Sequence, residues 1–327
     1  MSKSVIEIKD LTKHFKVPVK TVGFGASLRS LFVRKYKTVK AVEKISFSIE
    51  EGEMVGFLGP NGAGKTTTLK MMAGILYPTS GTAQVLGYTP SERKRGFQQK
   101  ISMVMGQKNQ LWWDLPATEA YELNKEIYGI PTPEFKETLS ELIALLSVED
   151  ILQTPVRKLS LGQRMKCELI ASLLHRPKVL FLDEPTIGLD LMTQKKVREF
   201  LREINRKTKT TVILTSHYME DVEAICDRVI MIDKGQKLYD GSIKGLIAKY
   251  GNEKYLQIDF DSPVDRQELE EIGRVVEYEG VRATFAVSRK DHTALAAKIL
   301  TKYKVDNLDI QEVKLEDIIL KHFSGQK

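Results

Sequence analysis

The sequence predicts an α/β fold: a mostly parallel central sheet, an antiparallel β part at the N-terminus, a helical section in the middle and a small α+β unit at the C-terminus. Three observations predict it. Short strand-type runs alternate with helical ones along most of the 327 residues, as expected when helices connect the strands of a sheet. The runs MVGFL (54–58), KVLFLD and TTVILT are almost unbroken in apolar residues, as parallel strands are when helices cover both faces. The pattern then changes near residue 240. With 42% hydrophobic and 28% charged residues, the chain is neither disordered nor fibrous. Its longest apolar runs, Val179–Leu182 and Leu142–Leu146, fall far short of the about 20 residues that span a bilayer. The opening MSKSVIEIKD lacks the apolar core of a signal peptide. Cys167 and Cys226 sit in apolar-periodic surroundings, which points to packing in a reducing compartment rather than to a disulfide.

In chain order, SVIEIKDL and KISFSIE read as strands, the second alternating apolar and polar. MVGFL runs into GPNGAGKTT, and TTTLKMMAGIL continues as a helix; ISMVMG is the next strand. ATEAYELNKEIYG, EFKETLSELIALL and LSLGQRMKCELIASLLHR have helical periodicity and form a helical part over about residues 108–175. In the last of these, Met165, Leu169, Ile170, Leu173 and Leu174 recur at helical spacing, and Ser160 stands where a cap belongs. KVLFLDEP and TTVILTS return to buried strands, and CDRVIMIDKGQKLYDG reads as a hairpin turning at Lys234-Gly235. These elements make a first domain over residues 1–240. YLQIDF, RQELEEIG, VVEYEG, ATFAVSR, TALAAKILTKY and LDIQEV make a second, α+β domain over 241–327, with no motif tied to catalysis.

Gly59 to Thr66 reads GPNGAGKT, a full match to G-x-x-x-x-G-K-[ST] in the required setting between a strand and a helix. Glycines let the backbone wrap closely around phosphates. Successive N–H groups and the positive helix end then face the anion. The binding stretch comprises Gly59, Pro60, Asn61, Gly62, Ala63, Gly64, Lys65, Thr66 and Thr67. Lys65 neutralises the β- and γ-phosphates and the Thr66 hydroxyl ligates Mg²⁺. Asp183 and Glu184 emerge at the end of the Val179–Leu182 run, on the sheet edge where a phosphate loop opens. Asp183 suits the Mg²⁺ shell, and Glu184 suits the base that orients the attacking water. An acidic pair after a strand is more often a helix cap; downstream of a phosphate loop the catalytic reading prevails. His217 after TTVILTS and Gln107 after ISMVMG have the same strand-end placement. The histidine suits a γ-phosphate contact, and the glutamine suits the metal or the water.

These motifs, in this order, resemble the ATP-binding cassette family over about residues 4–240. The resemblance implies ATP and Mg²⁺ as ligands. It makes Gln107 the Q-loop glutamine, Asp190 in IGLD the D-loop aspartate and His217 the switch histidine. LSLGQ (159–163) takes the position of the signature LSGGQ, so Ser160, Gly162 and Gln163 bind the γ-phosphate held by another subunit. Leu161 replaces the usual glycine, which either narrows that site or shifts the helix. Family members also stack an aromatic ring on adenine; Phe15 and Tyr36 are the candidates, with Tyr36 favoured because it is nearer the strand Lys44–Ile49. The resemblance further implies head-to-tail pairing, with an identical chain or a close paralogue. It implies ATP hydrolysis driving a separately encoded transmembrane permease, an exporter's, with this subunit peripheral at the cytoplasmic face of the cell membrane. Adjacent Trp112 and Trp113 fall where the family meets its permease, or else pack in the core.

The net charge of +7 is uneven. Between Asp10 and Glu43 there is no acid, while Lys13, Lys16, Lys20, Arg29, Arg34, Lys35, Lys37 and Lys40 accumulate. This basic insert, about residues 16–38, suits anionic lipid headgroups or stands as a solvated loop. No nucleic acid partner is expected. The alternative, a soluble cassette ATPase acting on nucleic acid or ribosomes, normally carries two cassettes or a long coiled coil. Here GxxxxGK occurs once and no heptad region separates Gly59 from Asp183. A GTPase would need an N-K-x-D motif, and the sequence has none.

Overall fold

The computed structural model describes residues 4–18, 36–216, 218–251, 253–312 and 315–323. It divides into two compact units at residue 240/241.

The first unit begins with β1 (Ser4–Pro18) and β2 (Tyr36–Glu50), an antiparallel pair running from Ser4↔Glu50 to Pro18↔Tyr36 with register shifts between Ser4 and His14. Both strands are longer than the sequence predicts. Residues 16–18 and 36–38, expected within the basic insert, are strand; the insert's remaining residues lie outside the described ones. Phe15 and Val17 alternate with Lys16, as Val39 does with its neighbours Thr38 and Lys40. This is a period-2 pattern that a count of charges conceals. On the other side of β1 lies β4 (Ser80–Val85), a strand too polar to stand out, with only Ala83 and Val85 buried.

Behind this small sheet runs a six-stranded one in the order β5-β6-β7-β3-β8-β9. Its members are β3 (Met54–Leu58), β5 (Ile101–Met105), β6 (Val179–Asp183), β7 (Thr211–Thr215), β8 (Arg228–Asp233) and β9 (Gln236–Ser242). The pairs from β5 through β8 are parallel, so their carboxyl ends share one edge. Helix α1 (Lys65–Met72) follows β3. One core joins the two sheets: Ile6, Ile8 and Ile49 from the antiparallel part meet Phe57, Leu69 and Phe181. Burying each such side chain contributes about 1.5–3 kcal/mol.

Three helices form the middle part: α2 (Ala117–Tyr128), α3 (Thr132–Leu146) and α4 (Leu161–Leu173). Helix α4 is less amphipathic than its periodicity suggests. Cys167, Glu168, Ala171 and Ser172 are buried along with the apolar set, because α4 packs against α2, α3 and β5 at once. The Tyr121 hydroxyl on α2 donates to the Cys167 carbonyl at 3.2 Å. Helices α5 (Leu191–Thr208) and α6 (Met219–Ile225) complete the unit.

The second unit is an antiparallel sheet in the order β11-β12-β10-β13, built from β10 (Glu253–Phe260), β11 (Arg274–Tyr278), β12 (Arg282–Ser288) and β13 (Val305–Glu312). Its core gathers Leu256, Ile258, Phe285, Leu269 and Ile299. No helix among the described residues is long and apolar enough to cross a membrane.

Candidate functional site

The parallel register fixes the site. Met105, Asp183 and Thr215 are aligned across β5, β6 and β7, so the residues just beyond them share one edge with the loop that follows β3. That loop must turn sharply into α1. Gly64, the residue before the helix, has φ 106°, and a Cβ there would lie 2.4 Å from the Ala41 carbonyl oxygen. Only glycine fits both the conformation and the space. The Lys234-Gly235 turn holds the loop from its other side: Gly235 N–H donates to the Ala63 carbonyl at 3.0 Å, and Glu43 N–H donates to the Gly235 carbonyl at 2.8 Å. Both turn residues have positive φ, 47° and 77°, which matches a tight hairpin turn.

Lys65 is buried and folds over this loop, its ammonium donating to the carbonyls of Gly59 (2.6 Å) and Pro60 (3.1 Å). Burial pulls its pKa down, while Glu184 and Asp183 pull it back up. The Thr66 hydroxyl sits 3.0 and 2.9 Å from the two Asp183 carboxylate oxygens, and the Thr215 hydroxyl donates to one of them at 2.8 Å. Glu184 has φ 56°, a strained conformation for a residue with a Cβ. Its N–H is held by the Thr215 carbonyl and hydroxyl, each at 3.1 Å. The Gln107 amide donates to the Glu184 carboxylate at 3.0 Å. Thr66, Gln107, Asp183, Glu184, Lys70, Met105 and Lys108 line one cleft.

Several contributors escape the sequence reading. Thr215 ends a strand, just as Asp183 does, so the strand-end argument applied to Gln107 would have reached it. Asp221 gives no such signal. It is fully buried and accepts from Thr186, from Ser216 at 2.9 Å and from Arg198 at 2.8 Å. It thereby joins the loop after Glu184 to the end of β7. His217 itself lies outside the described residues.

Ser160 caps α4. Its hydroxyl oxygen accepts from Gln163 N–H at 3.2 Å, and the Gln163 side chain accepts from Ser160 N–H at 2.9 Å; this reciprocal pair is a capping box. Leu161 is the first residue of the helix. Its side chain lies over Gly188, where a Cβ would come within 3.0 Å of Leu161 Cδ2. Gly162 is required by packing, since its Cβ would lie 2.9 Å from Thr193 Cγ2. Asp190 caps α5 through the Thr193 N–H at 2.9 Å. Ser160 is outside the cleft that holds Thr66 and Glu184. Beside Asp190, Leu191 and Met192 are 74% and 76% exposed.

The strand register sets Phe15 nearer the phosphate loop than Tyr36, the residue that the sequence favours. The Ala41 carbonyl touches the phosphate loop at Gly64. Tyr36 lies five positions away (36 to 41) and pairs with Pro18, on the order of 16 Å along a strand. Phe15 pairs with Val39, two positions from Ala41. Trp112 and Trp113 are 54% and 51% exposed, which rules out the core alternative.

Residues 42–187 match the family model described as ABC transporter. Over 215 residues the chain is 37% identical to the ABC transporter ATP-binding protein NatA of Bacillus subtilis (strain 168), covering 66% of this chain and 87% of that one. The chain belongs to the ABC transporter family. Within it, the linearmycin resistance ATP-binding protein LnrL of the same organism is 34% identical over 225 residues, 69% of this chain and 72% of the relative. A solved structure of an ABC transporter ATP-binding subunit superposes with a TM-score of 0.62 at 23% identity, covering 76% of this chain and 93% of that one; it supports the fold. Residues 252–311 match the EvrA-like ABC transporter C-terminal domain. As an ABC protein of this kind, the chain is an ATP-binding, ATP-hydrolysing subunit of a transporter. Such subunits dimerise and work with transmembrane permeases.

Proposed function

We propose that this ABC subunit drives export through a permease, at the cytoplasmic face of the cell membrane, in pairs that close head to tail on two nucleotides. The catalytic reading is carried by one observation: the Thr66–Asp183 and Gln107–Glu184 contacts meet at one sheet edge beside buried Lys65. ATP lies in the Gly59–Thr67 stretch. Lys65 leaves the Gly59 and Pro60 carbonyls for the β- and γ-phosphates, and Phe15 stacks on the adenine. The Thr66 hydroxyl and Asp183 carboxylate are hard oxygen donors placed together, and no group of three or more His, Cys, Asp or Glu side chains among the described residues is arranged to hold a metal ion. Mg²⁺ suits such a site, because it takes one or two protein oxygens and fills its shell with phosphate and water. When bound, it would draw charge from the β- and γ-phosphate oxygens.

Glu184 orients a water on the γ-phosphorus and accepts its proton as the bond to the β-phosphate oxygen breaks, releasing ADP and phosphate. Gln107 holds the carboxylate in place, and His217 contacts the γ-phosphate. Ser160, Gly162 and Gln163 complete the partner's pocket. The capping bond uses only an acceptor lone pair of the Ser160 hydroxyl, so its proton is available to a γ-phosphate oxygen. Exposed Leu191 and Met192, next to Asp190, are covered when the pair closes.

Efflux as the direction is supported by LnrL, which is named for resistance. Trp112 and Trp113 meet the permease; exposed tryptophans are typical anchors of an interface. At the described base of the basic insert, Lys16 and Lys37 are exposed and suit anionic headgroups. Glu184→Gln tests the assignment. It should retain ATP and the closed pair while lowering turnover by roughly 10²–10⁴-fold, the usual contribution of a positioned base; undiminished hydrolysis would remove Glu184 from this role.

A further inference from the structure

The turn after β6 carries Glu184, and its backbone is held against its own preference. Glu184 has φ 56° and precedes Pro185, whereas a residue before proline favours extended backbone. Such a conformation persists only where its surroundings over-determine it. On the near side, Thr215 fixes the Glu184 N–H through its carbonyl and hydroxyl, each at 3.1 Å. On the far side the anchor is Thr186, whose hydroxyl donates to Asp221 Oδ2. The Ser216 hydroxyl, just beyond β7, donates to the same oxygen at 2.9 Å and accepts from Tyr218 N–H at 3.0 Å. Arg198 Nη1 donates to Asp221 Oδ1 at 2.8 Å and stands 3.9 Å from Glu220. Thr186, Ser216 and Asp221 are all buried. Helix α5 adds a further tie to the same loop, the Gln194 amide donating to the Leu189 carbonyl at 3.1 Å.

We infer that Asp221 is a positioning residue for ATP hydrolysis: through Thr186 it holds the strained Glu184 turn, and through Ser216 it sets the segment that bears His217. The inference rests on reading Glu184 as the base and names what aims it. A buried carboxylate is costly unless donors supply its oxygens, and this one has two hydroxyls on Oδ2 and a guanidinium on Oδ1. Apolar packing would hold the two segments together without direction. Bonds to a charged acceptor are short and directional, so they fix the orientation of both. The place of the cluster is as telling as its chemistry. Thr186 stands two residues after Glu184, and Ser216 stands one before His217. Asp221 is not among the residues that line the cleft of Thr66 and Glu184, so it acts through these neighbours. Lys65 is held by other bonds, to the Gly59 and Pro60 carbonyls. The effect of Asp221 therefore falls on the chemical step rather than on ATP affinity.

The test measures steady-state ATP turnover and ATP affinity in the full chain. Thr186→Val keeps the shape and removes the hydroxyl, leaving the Asp221–Arg198 pair whole. It should lower kcat by roughly 10–10²-fold, the range of an ångström-scale misplacement, with KM and ATP affinity unchanged. Thr186→Ser should return most of the rate. Asp221→Asn should lower kcat by a like factor. Joined to Thr186→Val, it should cost little more than the larger single loss, since the two act as one unit. In the Glu184→Gln background Thr186→Val should cost nothing further, because the base it aims is gone. A folded Thr186→Val chain with wild-type kcat overturns the inference, even where Asp221→Asn unfolds. So does a loss that appears in KM alone, or one that multiplies with that of Glu184→Gln. Undiminished turnover by Glu184→Gln strikes the reading of Glu184 as the base instead.

Discussion

The two halves of the ATP machinery differ in how complete each is within one chain. Around the phosphate loop the central charged groups have partners nearby: Lys65 on two carbonyls, Asp183 between two hydroxyls, Glu184 against Gln107. At the tip of α4, the Ser160 hydroxyl pairs with Gln163 of the same helix, and exposed leucine and methionine follow Asp190. The first half is assembled by folding; the second, under the proposed head-to-tail pairing, waits for a ligand from another subunit. A shared nucleotide can bias such a pair toward closure because the signature contacts exist in the closed state only.

The contrast can be broken most severely on the assembled side. Gly64→Ala puts a methyl against the Ala41 carbonyl at a positive φ, a strain on the order of 1–3 kcal/mol. It should abolish ATP binding, as measured by calorimetry; retained affinity would show that the loop adapts. On the waiting side, Ser160→Ala should cost about 0.5–2 kcal/mol of stability through the lost cap. It should leave the affinity of the lone chain for ATP unchanged while turnover collapses. A parallel loss of affinity would place Ser160 in its own chain's pocket. The smallest effect concerns the base. Phe15→Ala should weaken ATP binding by about 1–3 kcal/mol, the range of an aromatic stack on a base, and Tyr36→Ala should not; the reverse outcome would restore Tyr36.

The same contrast marks what the sequence makes legible. GPNGAGKTT and the Asp183-Glu184 pair are local signals, because a loop that cradles phosphate needs its glycines, lysine and threonine adjacent in the chain. Strand ends are nearly as readable, since parallel pairing lines up Met105, Asp183 and Thr215 whatever helices intervene. Long-range packing is not. Asp221 and Glu168 sit in helical stretches whose apolar periodicity hides a buried acid, and the length of β1 and β2 depends on a register between distant residues. Leu161 shows the same limit. Its departure from the signature predicts a narrowed site or a shifted helix, and its side chain lies against exposed Gly188, a neighbour no local pattern reveals.

Everything depends on the two halves acting across a pair of chains. Two variants, Lys65→Ala and Ser160→Arg, should each be inactive alone, the first without a nucleotide cradle and the second without a signature. Mixed in equal amounts, half of random pairs combine one of each, and each mixed pair holds one intact pocket of two. ATP turnover should therefore return to about a quarter of the wild-type rate. A mixture that pairs yet stays as inactive as its components would show that Lys65 and Ser160 serve the same chain's pocket, and would contradict the account.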